Sequence, residues 1–266
     1  MLEKGKGNII GILIDAVDYN VAVDRIVQAA RGRRPMAISA LAVHGLMTGI
    51  LDSEHKYRLN RFDLLVPDGQ PVRWALNLLH GAHLRDRVYG PNLMLAVCSR
   101  AEEEGLGVFL FGSTQEILLK LRTNLESRFP GLRITGMEPS KFRCLSTDER
   151  NDLINRVRSS GAAIIFVGLG CPRQEIWTYE FREALSMPIL AVGAAFPFLA
   201  GKIPQAPKWM QDRGLEWLFR LLVEPRLWRR YMFLNPAYVL LVAFQILGLS
   251  RFTTVGTPPC KDSLYG

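Results

Sequence analysis

The sequence predicts an α/β fold of the Rossmann type, in which a mostly parallel sheet lies between helices. Over the first 200 residues, short apolar segments alternate with amphipathic segments of helical period, as in successive βα units. The apolar segments contain few polar residues, which is typical of strands that are buried on both faces of a parallel sheet. Beyond Gly201 the chain becomes rich in Arg and Trp, and this part is predicted to be a helical appendage.

The apolar segments and the amphipathic segments predict the strands and helices in order along the chain. The apolar runs predict strands over residues 9–14, 36–42, 64–67, 107–111, 133–137, 162–168 and 189–193. The amphipathic patterns predict helices over residues 21–31, 44–60, 70–79, 93–104, 115–128, 147–159 and 174–185. Because ligands of such sheets bind beyond the carboxyl ends of the strands, functional residues are expected directly after the strands.

Length and composition describe an ordinary globular chain with an excess of positive charge. The 266 residues are 48% hydrophobic and 22% charged, and the formal net charge is +8. This charge favours anionic partners, namely nucleic acid, anionic lipid headgroups or phosphorylated substrates. The predicted organisation is a catalytic domain over 1–200, the appendage over 201–250 and a disordered tail over 251–266.

Cysteine and histidine usage argues against a zinc site. The four cysteines show no CxxC pairing, and the chain contains four histidines. We therefore expect no bound metal. Scattered thiols of this kind fit a reducing compartment, and the N-terminal apolar stretch is too short for a signal peptide.

The appendage combines aromatic and basic residues with an apolar run. Trp209, Trp217, Trp228 and Tyr231 are interleaved with arginines, as in belts where aromatic rings lie at the depth of lipid headgroups. The run 231–249 follows, interrupted by a proline and polar residues, and it is too short to cross a bilayer comfortably. It favours an interfacial helix on a membrane over nucleic-acid binding. A membrane span and a buried helix or oligomer contact are the alternatives.

Two segments that follow predicted elements carry charged candidates. Asp68 follows a predicted strand and precedes Gly69, so its carboxylate is placed to act as a general base. The same Asp-Gly pair is also a common turn or helix-cap signal. Arg85 and Arg87 precede a predicted helix start, where an Arg can hold a phosphate, or they form a solvated charge cluster.

Two strand-to-helix junctions carry candidate anion sites. Gly112 and Ser113 offer backbone N–H groups and a hydroxyl after one strand, although a plain helix cap explains them equally well. After a later strand, Gly168 and Gly170 permit close backbone approach, and Arg173 with Gln174 follows them. Neither GxGxxG nor a P-loop is present, which disfavours a dinucleotide site.

Five of these segments together resemble one known family. They are PDG at 67–69, RVYG at 87–90, GLGCPRQE at 168–175, GAAF…AG…AP at 193–207 and GLEWLFRLLVEP at 214–225. In this order and spacing the sequence resembles the WecG/TagA/CpsF glycosyltransferases, over roughly residues 9 to 236. These enzymes build bacterial surface polysaccharides and teichoic-acid linkage units.

The resemblance implies an inverting enzyme with no metal and no cofactor. Such an enzyme moves a hexose-type sugar from a UDP-sugar to a polyprenyl-diphosphate-linked sugar, working peripherally on the cytoplasmic face of the cell membrane. Asp68 corresponds to the proposed base of the family, and Arg87 and Gln174 to other active-site residues. Arg220 and Arg230 match arginines with which the appendage completes the site at the membrane.

Three positions depart from the family pattern. His44 stands where the family has Asn, so it is expected to position the acceptor, to tune the site for another sugar, or to be a core or capping residue. Pro197 replaces an Asp, which puts UDP as the carrier in question. Arg226 stands one position before the corresponding arginine of the family pattern. Either Arg226 or Arg229 is expected to take the role of that arginine at the diphosphate.

The first hypothesis is therefore a membrane-associated glycosyltransferase that acts on a lipid-diphosphate acceptor. The departures at Ala42 and Pro197 motivate an alternative, a catalytically inactive scaffold that binds sugar nucleotide at the membrane. A basic RNA-binding protein is a weaker third reading. N-acetylmannosamine, glucose, glucuronic acid and related sugars all fit as donors, and a homo-oligomer is compatible with the sequence.

Overall fold

The chain begins with a β-hairpin, which the sequence did not predict. In the computed structural model, which describes residues 1–260 and 265–266, β1 (Glu3–Ile9) and β2 (Ile12–Val17) pair antiparallel apart from the main sheet. The predicted single strand over 9–14 is wrong because Ile10 and Gly11 form the turn, with φ of 43° and 93°. Ile10 is fully buried, so the tip of this hairpin produces an apolar run that looks like a core strand.

The main sheet is parallel throughout, which confirms the predicted α/β fold. Its strands are β3 (Met36–Leu41), β4 (Leu64–Pro67), β5 (Val108–Gly112), β6 (Ile134–Glu138), β7 (Ile164–Gly168) and β8 (Pro188–Ala191). They lie in the order β4-β3-β8-β7-β5-β6. The chain leaves the neighbouring strands β7 and β5 in opposite directions, toward β8 and toward β6, and a crevice at the carboxyl ends of the strands is expected there.

Nine helices of the described chain accompany this sheet, up to about residue 200. They are α1 (Tyr19–Arg31), α2 (Val43–Leu51), α3 (Ser53–Leu59), α4 (Gln70–His80), α5 (Gly90–Glu103), α6 (Gln115–Arg128), α7 (Thr147–Ser159), α8 (Arg173–Leu185) and α9 (Ala195–Leu199). The predicted helix over 44–60 is wrong as one helix, because extended Asp52 divides it into α2 and α3. The Asp52 carboxylate caps α3 by accepting from the amides of Glu54 and His55.

The appendage consists of α10 (Lys208–Asp212), α11 (Glu216–Val223), a 3₁₀ turn (Pro225–Leu227) and α12 (Trp228–Ile246). The helix α12 packs against α2 and α4. Buried Tyr238 donates its Oη hydrogen bond to the Pro71 carbonyl at 3.1 Å. Gln245 accepts from the Ile10 amide at 2.7 Å and donates to the Asn8 carbonyl at 2.8 Å. These contacts dock the last helix on the hairpin of the N-terminus. Among the described helices, none is long and apolar enough to cross a membrane.

The described part of the tail is held by side chains of the domain. Asn8 donates to the Phe252 carbonyl at 2.9 Å, and Asn60 donates to the Thr254 carbonyl at 2.7 Å. The Thr257 amide donates to Ser53 Oγ at 3.0 Å. Residues 252, 254 and 257 thus have hydrogen-bond partners in the domain, and the disordered tail expected over 251–266 stays a prediction. For residues 261–264, that expectation lies outside the described residues.

We expect Tyr238→Ala to lower the free energy that holds α12 on the domain by about 3 kcal/mol, because a large buried ring and a hydrogen bond are lost. Tyr238 is 3% exposed, whereas Val239 on the same helix is 63% exposed. The control Val239→Ala should change this free energy by about 0.5 kcal/mol or less. Hydrogen exchange of the α12 amides measures both, and equal effects would contradict the docking described here.

Candidate active site

The main cavity opens at the carboxyl ends of the parallel strands, under the appendage. It encloses about 540 Å³ and has Asp68 after β4 on one wall and Gly168 at the end of β7 on another. From the appendage, Glu216, Arg220 and Arg230 complete its lining. A smaller cavity of about 100 Å³ shares Asp68, Arg220 and Arg230 with it. The site therefore exists only where the sheet and the appendage meet.

Most of the residues predicted from the sequence lie around these two cavities. The main cavity is lined by His44, Asp68, Ser113, Gly168, Gly170, Gln174, Arg220, Arg226 and Arg230. The smaller cavity adds Gly69 and Arg87. Gly112 and Arg173 line neither of them.

Gly112 and Arg173 have other surroundings. Gly112 pairs with Gly168 across the sheet and has a φ of 106°, and a Cβ there would lie 2.9 Å from the Gly168 carbonyl carbon. It therefore permits close approach of two strand ends rather than contact with a ligand. The Arg173 guanidinium lies 5.9 Å from the centroid of the Tyr265 ring.

Asp68 is a carboxyl group whose surroundings bring its pKa close to neutral. Its Oδ1 accepts from the Gly90 amide at 2.7 Å, and its own amide donates to the Leu41 carbonyl at 3.2 Å. Burial raises the pKa of Asp68 to about 6, while Arg87 lowers it and Glu216 raises it. Such a group is ionised at neutral pH and can accept a proton from a substrate hydroxyl.

Glu216 joins the appendage to the loop that follows Asp68. Its Oε2 accepts from Arg87 Nη2 at 2.6 Å, and its Oε1 accepts from Tyr89 Oη at 3.1 Å. The Arg87 guanidinium also lies over the Tyr89 ring, 4.2 Å from the centroid. Both charged side chains are largely buried, at 8% exposure for Arg87 and 15% for Glu216. Arg87 is therefore engaged in holding the appendage, and it still acts on the pKa of Asp68.

Three arginines of the appendage face the main cavity. Arg220 and Arg226 both pair with Glu224, at 2.9 Å and 2.7 Å. No ion pair with a described residue involves Arg230, and the Nε atoms of Arg220 and Arg230 are buried without a hydrogen-bond partner there. Free N–H donors on clustered guanidinium groups form a site for an anion such as a diphosphate.

Arg226 and Arg229, the two candidates for the arginine that is displaced from the family pattern, lie in different places. Arg226 lines the main cavity. Arg229 is exposed, with its guanidinium 5.5 Å from the centroid of the Trp228 ring, and it lines neither described cavity. The geometry therefore favours Arg226 for contact with a bound anion.

His44 lines both cavities as an uncharged imidazole. Burial lowers the pKa of His44 to about 4, and the positive charges of Arg230 and Arg220 add to this effect. Its Nδ1 is buried without a hydrogen-bond partner among the described atoms. At neutral pH His44 can thus hydrogen-bond a neutral hydroxyl or amide group, as an Asn would.

Gln174 fixes the glycine-rich wall of the cavity. Its Oε1 accepts from the Gly170 amide at 3.1 Å, and its Nε2 donates to Glu175 Oε1 at 2.8 Å. A Cβ on Gly193 would lie 2.8 Å from Gln174 Oε1, so only glycine fits there. The buried Gln174 side chain therefore holds the glycine-rich loop in its conformation.

Several residues of the site were missed by the sequence reasoning. Tyr89, Glu216 and Glu224 line the main cavity, as does Phe142; Thr114, which lies beside the predicted Ser113, lines it too. The first three fall inside the segments RVYG and GLEWLFRLLVEP. A local signal that corresponds to an ion pair of the structure existed for Glu224 alone, which lies four residues after Arg220. Thr114 caps α6 through a hydrogen bond to the Ile117 amide.

A proton-accepting carboxylate opposite an arginine cluster, at the carboxyl ends of a parallel sheet, defines an enzyme that transfers a group from a phosphorylated substrate. The model of the Glycosyl transferase WecG/TagA/CpsF family matches residues 7–252. The chain belongs to this family and is a glycosyltransferase. The resemblance read from the five sequence segments is confirmed.

A curated relative covers a large part of the chain. The chain is 26% identical over 182 residues to a protein of Bacillus spizizenii named N-acetylglucosaminyldiphosphoundecaprenol N-acetyl-beta-D-mannosaminyltransferase. The aligned region covers 68% of each of the two chains. Together with the family match, this relative favours an enzyme over the inactive scaffold that the sequence left open.

We expect Glu216→Gln to lower the free energy that docks α11 by about 3 kcal/mol, because it leaves Arg87 charged and largely buried without its partner. The control Glu126→Gln removes one partner of the Arg122–Glu126 pair, whose side chains are 46% and 44% exposed. The control should change stability by about 1 kcal/mol or less. Hydrogen exchange of the α11 amides and urea unfolding measure the two effects, and equally small losses would contradict the linking role of Glu216.

Proposed function

We propose that this glycosyltransferase moves a hexose-type sugar, with N-acetylmannosamine as the first candidate, from a UDP-sugar to a polyprenyl-diphosphate-linked sugar. The product would serve in the synthesis of a cell-surface polysaccharide. The observation that carries the proposal is Asp68, with its pKa near 6, facing the unpaired donors of Arg220 and Arg230 across one cavity. The name of the Bacillus spizizenii relative supports the choice of sugar and acceptor.

In the proposed reaction Asp68 acts as the general base. Its carboxylate accepts the proton of an acceptor hydroxyl while the hydroxyl oxygen forms a bond to the anomeric carbon of the donor. The bond between that carbon and the diphosphate oxygen breaks, and its electron pair leaves with UDP. Attack from the face opposite the leaving group inverts the configuration at the anomeric carbon.

The appendage arginines are proposed to stabilise the charge of the diphosphate in place of a metal. Arg220, Arg226 and Arg230 line the main cavity, where their N–H donors can meet the charge that develops on the diphosphate. Arg220 and Arg226 both pair with Glu224. The negative charge of Glu224 reduces the repulsion between these arginines when no substrate is bound. The three-residue group of possible metal ligands found in the described chain includes none of the carboxylates of this cluster.

His44 and Pro197 are proposed to select the sugars. Both line the main cavity, at positions where they depart from the family pattern. A neutral His44 hydrogen-bonds hydroxyl or N-acetyl groups, and Pro197 offers an apolar surface with no carboxylate. Glucose, glucuronic acid and related sugars are the other candidates for the donor.

We also propose that the appendage binds peripherally to the inner face of the bacterial cell membrane. The side of α12 away from the domain exposes large apolar side chains, and neighbouring parts of the appendage extend this surface. They are Leu222, Trp228, Met232, Phe233, Val239, Leu240, Phe244, Ile246, Leu247 and Leu249. An exposed apolar face of this size beside clustered arginines fits the interface of an anionic bilayer. A lipid-linked acceptor would then reach Asp68 from that side.

The proposed activity is tested by incubating the protein with UDP-N-acetylmannosamine and a short-chain polyprenyl-diphosphate-N-acetylglucosamine, with the products identified by mass. We expect transfer, and a loss of about 10²- to 10⁴-fold in Asp68→Asn because the base is removed. The control Asp212→Asn, on the exposed side of α10, should keep the activity. Near-normal turnover of Asp68→Asn would remove Asp68 as the base. No transfer from any UDP- or GDP-sugar would contradict the proposed function.

The pH dependence of kcat/KM is a second test of Asp68 as the general base. Its carboxyl group is protonated below the pKa of about 6, so kcat/KM should fall as the pH drops through this value and stay level above it. Arg87 lowers the pKa of Asp68, and Arg87→Gln should therefore move the acid limb to higher pH. An acid limb at the same pH in Arg87→Gln would contradict titration of Asp68.

Membrane binding is tested with the double variant Phe233→Glu, Leu240→Glu, whose positions lie two helical turns apart on the exposed face of α12. We expect binding to anionic phosphatidylglycerol vesicles to weaken at least about tenfold, because two apolar contacts are replaced by charges that the bilayer repels. Leu119→Glu, at an exposed position of α6, is the control. Equal sedimentation of both variants with the vesicles would show that this face is not the anchor.

A further inference from the structure

Behind the glycine-rich wall of the main cavity, three potential metal ligands from separate parts of the chain meet. They are His55 of α3, Cys171 in the loop after β7 and Glu175 of α8. One potential ligand atom of each residue lies within 4.8 Å of those of the other two. Cys171 and Glu175 also line the main cavity, which gives an ion a route to the group.

The His55 ring has no hydrogen-bond partner among the described residues, whereas the Cys171 thiol has Thr48 and Glu175 as hydrogen-bond partners. His55 is fully buried, and both its Nδ1 and its Nε2 lack a hydrogen-bond partner. A buried imidazole with no partner on either nitrogen is unfavourable and rare in folded proteins.

Glu175 is arranged as a ligand whose second oxygen is free. Its Oε1 accepts from Ser39 Oγ at 3.0 Å and from Gln174 Nε2 at 2.8 Å. Its Oε2 is buried and has no hydrogen-bond partner in the described chain. Outer hydrogen bonds that fix one carboxylate oxygen, while the other is left for an ion, are typical of metal ligands in proteins.

We propose that His55, Cys171 and Glu175 bind a zinc ion. One nitrogen, one sulfur and one oxygen donor form the mixed set that Zn²⁺ accepts, and the three ligands need to approach each other only slightly to reach tetrahedral spacing. Binding replaces the thiol proton of Cys171 by the metal, and that proton is released to solvent. The fourth position faces the cavity and takes a water molecule.

The zinc ion would join α3 to α8 and fix the loop between β7 and α8. That loop carries Gly170, which forms part of the cavity wall. The proposal can fail or hold separately from the proposed transfer reaction, because its test reads metal binding and not activity. Spacing along the chain gives no sign of a zinc site, because His55 lies more than a hundred residues before the other two ligands.

The test is a titration of the chelator-treated full chain with Co²⁺, followed by displacement with Zn²⁺. We expect one Co²⁺ per chain with a sulfur-to-cobalt charge-transfer band that disappears on addition of Zn²⁺. The band should be absent in Cys171→Ser and present in Cys144→Ser, which removes an exposed thiol. Ser39→Ala should weaken Zn²⁺ binding by about 10- to 100-fold, because it removes an outer hydrogen bond to Glu175.

Thermal unfolding of the wild-type protein decides the question even if a variant fails to fold. Zn²⁺ bound only to the folded chain raises the unfolding midpoint in a concentration-dependent way. A midpoint unaffected by Zn²⁺, or a charge-transfer band that persists in folded Cys171→Ser, would overturn the proposal. In either case Cys171 would act as a simple thiol beside Glu175.

Discussion

The ion pair between Arg87 and Glu216 is the constraint on which the rest of the site depends. It is short, at 2.6 Å, and largely buried, so separating the two charges would leave each in surroundings that solvate it poorly. Arg87 belongs to the loop after β4 and α4, whereas Glu216 begins α11. This contact places the start of α11 beside the loop, and together with the docking of α12 through Tyr238 and Gln245 it brings the arginines of the appendage to the carboxyl ends of the strands. It also sets part of the electrostatic environment of Asp68, because both charges act on its pKa.

The cavity shows how a protein keeps a cationic cluster ready without neutralising it. Glu224 accepts from Arg220 and Arg226, yet Arg230 and the Nε atoms of two arginines keep unused donors. Buried donors without partners are unfavourable in a folded chain, and they are tolerated where a ligand supplies the missing acceptors. In the proposed site the appendage would thus give up some stability in order to bind an anion.

Much of the fold and of the site could be predicted from sequence, and the failures share a cause. Buried strands and amphipathic helices have local periods, so six strands of the main sheet were placed within a few residues. Asp68 and the arginines follow strands or stand in recognisable segments. The hairpin turn at Ile10 was missed because a buried tip and a buried strand have the same apolar run. Glu216, and the meeting of His55 with Cys171, depend on contacts between distant segments, which no local pattern records.

The hydrogen bonds of Gln245 have a consequence for the synthesis of the chain. The tip of the first hairpin obtains partners for the Ile10 amide and the Asn8 carbonyl from a residue 235 or 237 positions later. The isoleucines of that tip share a core with Tyr238 and Val242 of the last helix. The isoleucines of the tip also pack against Leu46 and Leu59, so their apolar cover is available early in synthesis. The two backbone groups of the turn obtain these side-chain partners only after Gln245 has left the ribosome, and until then the hairpin is open to non-native pairing.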